Sequence, residues 1–427
     1  MRNCVVPASM VIALSVGAAA QGSTTFTFMN GGPIYAVSGN GATGAGAVYS
    51  FGPWPATWYT ASGDIQYLLG HIDGSHSFNN GAFALTPDGS VAGGRVQYDP
   101  TAQQGGAAKW VVSPLALPTI LPRRPGATYF QWNDGVKGLT ADGVIAVGQS
   151  AEKAVIWNGL TVSVVDPWDA ELSRFSAVTP DGARAVGTHA NVTTEYSARA
   201  FMWTAAGGAI ELPTWNSDNP FDCAAAISAD GLTIVGYAGS TGLEGGVHLV
   251  RWRIDPVSGE VSMTDLAAGT AFISAFDIYP MFDNLPAAIS ADGRVIGGAA
   301  RFGGPDSPAE AAIWTEATGL ISVAALLLEQ GALDEPIELD SVSGISADGR
   351  TLVGNSLFGS LELFGWSATI TIGCGADFDG SGFVDFDDFN SFVAAFETGD
   401  ISADFDHSGF VDFDDFNSFV AAFEAGC

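Results

Sequence analysis

Two stretches near the C-terminus space their side-chain oxygens so that one bound cation could be wrapped from several sides. In the twelve residues from Asp377 to Asp388, oxygen side chains fall at positions 1, 3, 5, 9 and 12: Asp377, Asp379, Ser381, Asp385 and Asp388. Gly382 stands at position 6, where the chain must bend sharply, and apolar Val384 at position 8. Phe383, at position 7, would offer its backbone carbonyl. The second copy carries Asp404, Asp406, Ser408, Phe410, Asp412 and Asp415 at the same places. Residues 376–397 and 403–424 match at 21 of 22 positions, with only Gly380 and His407 differing. A hard cation needs six or seven oxygens around one point, so the expected cofactor is calcium, two ions per chain.

Each loop runs into a segment patterned as a short helix. Phe389, Phe392, Val393 and Phe396 are spaced i, i+3, i+4 and i+7, and Phe416, Phe419, Val420 and Phe423 repeat that face, so the two helices are expected to pack together. Between Cys374 and Cys427 there are 13 acidic residues and no Lys or Arg. So dense a charge needs metal to neutralise it if the segment is to fold. These residues resemble dockerin type I repeats: two loop-helix units, Asp at position 12, and no entering helix. The resemblance implies a calcium-dependent attachment module. It does not extend to a cohesin-like partner, because Phe386-Asp387 and Phe413-Asp414 stand where cohesin-binding dockerins carry distinctive polar or basic residues.

The other end of the chain points to export. Arg2 precedes the apolar run Val5 to Val16, and Ala18-Ala19-Ala20 follows with Gln21 after it, so residues 1–20 read as a secretory signal peptide. The expected location is outside the cell or at its surface. With 46 acidic against 15 basic residues, a net charge of −31, nucleic acid and anionic membranes are excluded as partners, and no run is long and apolar enough to insert in a bilayer. Cys374 and Cys427 bracket the acidic segment and are expected to form a disulfide in an oxidising compartment, leaving Cys223 as a buried free thiol.

Between these ends, residues 21–373 are built from one repeated unit. A Ser or Thr, one residue, Asp and Gly recur at Thr86–Gly89, Thr140–Gly143, Thr179–Gly182, Ser228–Gly231, Ser290–Gly293 and Ser346–Gly349, with a degenerate Asn-Gly copy at Ser38–Gly41. A second Gly follows six residues after each Asp or Asn, from Gly46 to Gly354, and a Trp after 15 to 22: Trp58, Trp110, Trp157, Trp203, Trp252, Trp314 and Trp366. The Asp and Gly suit a tight turn and the flanking apolar runs suit its two strands. Spacings of 39 to 62 residues fit propeller blades. The expected fold is all-β: a seven-bladed β-propeller, then a small α-helical, dockerin-like EF-hand pair over 374–427. The last blade lacks a fourth strand, and Thr24–Phe28 is expected to supply it. The unit, Ala198-Arg199-Ala200-Phe201-Met202-Trp203-Thr204 above all, resembles the HAF-type extracellular repeat, which implies export and a repeat fold and no catalytic activity.

No nucleophile elbow, Cys-x-x-Cys pair or phosphate-cradling loop occurs. His71 and His76 flank an Asp-Gly-Ser that reads as a loop between blades, and the repeated turn aspartates read as structural. Trp54, Trp132, Trp168 and Trp215 lie outside the repeated position and suit either stacking on sugar faces or filling gaps between blades. Two readings result. One is a secreted non-catalytic binding or scaffold protein, its propeller facing a cell-surface protein or polysaccharide. The other is an extracellular polysaccharide-degrading hydrolase or lyase carrying the same tail.

Overall fold

The structure, a computed structural model, describes residues 24–29, 31–48, 54–68, 80–99, 104–112, 117–127, 134–191, 197–215, 220–239, 247–266, 287–302, 307–358, 362–371, 376–379, 384–405 and 410–425. These belong to two compact units, one of Thr24–Thr315 with Gly319–Ile370 and one of Glu316–Thr318 with the residues after Ile370. The first holds seven four-stranded antiparallel sheets. In six of them the strands follow chain order, beginning with Ile34–Val37, Thr43–Val48, Trp54–Tyr59 and Ile65–Tyr67. The seventh uses Ser341–Ile345, Thr351–Phe358 and Glu362–Thr369, and its outer strand is the N-terminal Thr25–Met29. Thr25 pairs with Thr369 and Phe28 with Trp366, so the two ends of the propeller chain share one sheet, as expected.

The turns explain why the Ser/Thr-x-Asp-Gly unit recurs. In all seven the Ser or Thr hydroxyl donates to the Asp (or Asn40) Oδ1 at 2.5–2.7 Å. That oxygen also accepts the N–H two residues on, at 2.8–3.1 Å. The hydroxyl in turn accepts the N–H five residues on, at 2.8–3.1 Å. The Gly sits at φ between 65° and 77°, where a Cβ would strain the backbone.

The second Gly has a different cause. In six blades the innermost strand carries a bulge that loops one residue out of the ladder, for example Lys137 between Val136 and Gly138. The bulge pushes a carbonyl against the neighbouring strand. A Cβ at Gly94 or Gly148 would collide with the carbonyl oxygen of Gly81 or Gly135, and the contact recurs at Gly46, Gly187, Gly236 and Gly354.

Six of the seven repeat tryptophans are buried and Trp203 is half-buried. They are not all equivalent. Trp58, Trp110, Trp157, Trp203, Trp252 and Trp314 stand two residues past the partner of the second Gly, opposite Gly44, Ala92, Ala146, Ala185, Ile234 and Ile296. Trp366 faces Gly354 itself, and Ala368 holds the place of the other six. Strand period 2 keeps both positions on one face, so the spacing in sequence hid the difference. A short helix, α1 (Val323–Glu329), also breaks the all-β expectation inside the propeller unit. Ser322 caps it and Val323 and Leu327 bury one side, but seven residues with three leucines carry no distinct helical period.

In the second unit α2 (Phe386–Thr398) and α3 (Phe413–Ala425) follow the two acidic loops, with a 3-10 turn at Ile401–Ala403 between them. Asp385 and Asp388 cap α2 reciprocally and Gly399, at φ 65°, ends it. The Phe faces meet as expected: Phe392 stacks on Phe419 with ring centroids 3.9 Å apart and planes at 3°. Phe389, Phe396, Phe416 and Phe423 pack around them.

Candidate functional sites

Three places bring chemistry-bearing side chains together. In the first acidic loop, carboxylate oxygens of Asp377, Asp379 and Asp388 lie within 4.8 Å of one another. Asp388 is fully buried and accepts the N–H groups of Asp379 (3.0 Å) and Asp385 (2.8 Å) through its two oxygens. Burial works against its charge, yet these backbone donors hold its carboxyl below the usual carboxylate range. The second loop repeats the backbone bonds to its last aspartate. Asp415 is fully buried and takes the N–H of Asp412 at 2.7 Å, while Asp412 takes that of Asp414 at 2.9 Å. Position 1 matches too, since the Oδ1 atoms of Asp377 and Asp404 are both sealed from solvent. Ser381, Phe383, Asp406 and Ser408 lie outside the described residues, as do Cys374 and Cys427. Among the described residues Cys223 is a buried free thiol whose pKa burial pushes up to about 12. Phe386 and Phe413, by contrast, are 76% and 71% exposed.

The second place is at the end of the blades opposite the Asp-Gly turns, where two neighbouring blades carry the same trio. Trp168, in the connection entering blade 4, stacks on His189 at 4.1 Å, and His189 Nε2 lies 3.1 Å from Glu211. Trp215, in the connection entering blade 5, packs on His248 at 5.0 Å, and His248 Nδ1 lies 3.0 Å from Asp265. Burial lowers the His189 pKa. With Asn191, Ser197 and Arg199 the first trio lines a cavity of about 240 Å³. Close by, Asp222 is 1% exposed, and burial raises its pKa to about 6. Trp54 begins a strand at the same end of blade 1, so three of the four extra tryptophans belong to that end. Trp132, His71 and His76 lie outside the described residues. Of the two roles open to these indoles, Trp168 takes the packing one, while Trp215 is 48% exposed.

The third place is the central channel, a cavity of about 480 Å³ lined by the innermost strands of all seven blades. The looped-out residues face it: Tyr35, Phe83 and Lys137 from blades 1 to 3, and Ser176, Ala225 and Ser343 from blades 4, 5 and 7. Lys137 Nζ sits 4.0 Å from the Phe83 ring centroid, and Tyr35 and Phe83 rings are 5.2 Å apart. Sequence reasoning passed over these residues. The signal was present, because Lys137 interrupts an apolar strand in a chain with only 15 basic residues.

No protein-family model matches the sequence, and no curated protein sequence matches it either. Several solved structures are similar to this chain. TolB from Acinetobacter baumannii is 14% identical with a TM-score of 0.41, over 67% of this chain and 61% of its own. A puromycin hydrolase S511A mutant complexed with PGG is 14% identical with a TM-score of 0.48, over 76% and 50%. The propeller domain of the trilobed protease from Pyrococcus furiosus is 10% identical with a TM-score of 0.42, over 82% and 98%. This chain thus spans less than two thirds of the first two, and the activities of these proteins are not carried over to it.

Proposed function

We propose that this is a secreted, non-catalytic binding or scaffold protein. Its propeller presents an interaction surface toward a cell-surface protein or polysaccharide, and its C-terminal pair of dockerin-like, EF-hand-type loops binds two calcium ions. The observation that carries the reading is the convergence of Asp377, Asp379 and Asp388, and the second loop matches it in the buried Asp415 that accepts the Asp412 N–H. The donor set suits a hard cation: Asp377, Asp379, Asp385 and Asp388 would hold one ion, and Asp404, Asp406, Asp412 and Asp415 the other. A cation there supplies charge and a rigid loop, not a reaction step. A disulfide between Cys374 and Cys427 would close the same unit. The exposed Phe386 and Phe413 are its natural attachment points, since apolar rings left in water are where a partner gains most.

The alternative, an extracellular polysaccharide-degrading hydrolase or lyase, draws little from the His189 cluster. Asp222 is too buried to touch a polymer, and His189 is covered by Trp168. Calorimetry on the full, chelator-treated chain tests the main reading. Two calcium ions should bind, and one after Asp377→Ala with Asp388→Ala. No binding at millimolar calcium would overturn it.

A further inference from the structure

The seven blades are alike at their Asp-Gly turns and unlike at the opposite end. On the third strand, the partner of the residue two places past the second Gly is Lys153, Arg199, His248 and Glu310 in blades 3 to 6. In blades 1, 2 and 7 it is Trp54, Gly106 and Phe364. Folding needs no such split, since every blade is the same four-stranded sheet. Charged side chains are thus gathered on one arc of that end. The middle of the arc, blades 4 and 5, holds both the cavity of about 240 Å³ and Trp215.

These features suit one kind of guest. The cavity has flat rings on one side, Trp168 stacked on His189, and Asn191, Ser197, Arg199 and Glu211 on the other. Trp215 keeps 48% of its surface in water, unlike the repeat tryptophans, which are buried or half-buried. It follows the end of blade 4's outer strand at Glu211 by four residues, a reach of at most about 14 Å. Glu211 and Asp265 hold equivalent places in blades 4 and 5, opposite Phe201 and Val250, and each is fixed by a histidine at 3.1 and 3.0 Å. A carboxylate accepts from several donors at once, so neither has to lack a partner to take a hydroxyl.

We propose that this end of blades 4 and 5 binds a neutral polysaccharide built of hexose or pentose rings. A sugar ring combines an apolar C–H face with a rim of hydroxyls. The indole of Trp215 would stack on the face, and Glu211, Asp265 and the polar cavity wall would take the hydroxyls. An acidic polysaccharide would bring its own carboxylates to a chain of net charge −31, which disfavours it. The proposal rests on the binding reading of the propeller and makes no use of the calcium loops.

Titration calorimetry on the full chain tests it with three neutral probes, cellohexaose, mannohexaose and xylohexaose, and one acidic probe, hexagalacturonate. At least one neutral probe should bind, at least tenfold more tightly than the acidic one, and equally with calcium or with chelator. Trp215→Ala should weaken that binding at least tenfold with the melting curve unchanged, and Trp215→Phe should restore part of it. No binding of any neutral probe at millimolar concentration would overturn the proposal and leave the calcium reading standing. Binding that chelator abolishes, that favours the acidic probe, or that Trp215→Ala leaves untouched would overturn it too. Shortening of a bound probe during incubation would support the site and count instead against the non-catalytic reading.

Discussion

At the scale of single residues, two kinds of aspartate respond oppositely to pH. Asp88, Asp142 and Asp181 have lowered pKa values because a turn Thr hydroxyl and backbone N–H groups bond the charged form. Their contribution is present above the ordinary carboxylate range and is lost as pH falls through the lowered value. What the turn needs is the oxygen, since Asn40 makes the same two bonds at 2.7 and 3.0 Å. Asp88→Asn should therefore keep the two bonds and lose only the charge-dependent part of that contribution, whereas Asp88→Ala, which removes the bonds as well, should cost about 1 kcal/mol by urea denaturation. Equal loss in both would refute the turn assignment. Asp222 behaves the other way. Burial raises its pKa from 3.8 to about 6, so the folded state holds the proton more tightly than the unfolded chain does. Stability from this group falls as pH rises between about 4 and 6. Asp222→Asn should be more stable than the parent at pH 7 by at most about 3 kcal/mol, with the gap closing near pH 4. A pH-independent difference would count against it.

At the scale of elements, the turns also tie neighbouring blades. The residue after the Ser or Thr donates its N–H to the matching carbonyl of the next blade: Ala141 to Pro180, Ala229 to Ala291 and Ala291 to Ala347, at 2.8–3.0 Å. Ala347 to Gly39, at 2.8 Å, joins the seventh blade to the first. Pro87 and Pro180 hold the same position in blades 2 and 4, so the backbone there accepts proline, but a proline has no N–H to donate. Ala347→Pro thus removes the closing bond with little other change. It should lower stability by about 1 kcal/mol by chemical denaturation. An unchanged midpoint would show that this bond adds nothing to the other links between the seventh and first blades, such as the Ile34 N–H to Asn355 Oδ1 bond at 2.8 Å.

At the scale of the whole molecule, the two compact units differ in what holds them. The propeller is held by seven sheets and buried indoles, and the C-terminal unit by one cluster of Phe rings beneath two acidic loops. Calorimetric melting should resolve two transitions. Calcium at a hundredfold excess over its dissociation constant should stabilise the second by about 2.7 kcal/mol per site and leave the first unmoved. A shift in the propeller transition, or none in either, would contradict the calcium reading.

Spacing alone was enough for whatever repeats locally. Turn residues, glycines and period-2 apolar runs impose the hairpins, and a hairpin copied seven times, with one strand missing at the end, implies a ring closed by Thr24–Phe28. The Phe pattern of α2 and α3 was legible for the same reason, since helical period fixes a face before any partner is known. Tertiary structure decided what depends on contact across blades. The slipped register of Trp366 was invisible because both registers share a face, and α1 was invisible because one turn of leucines has no period to read. The convergence of Tyr35, Phe83, Lys137 and Arg174 needed the ring itself: these residues are up to 139 positions apart in the chain, and only closing seven blades around one axis brings their side chains to a common space.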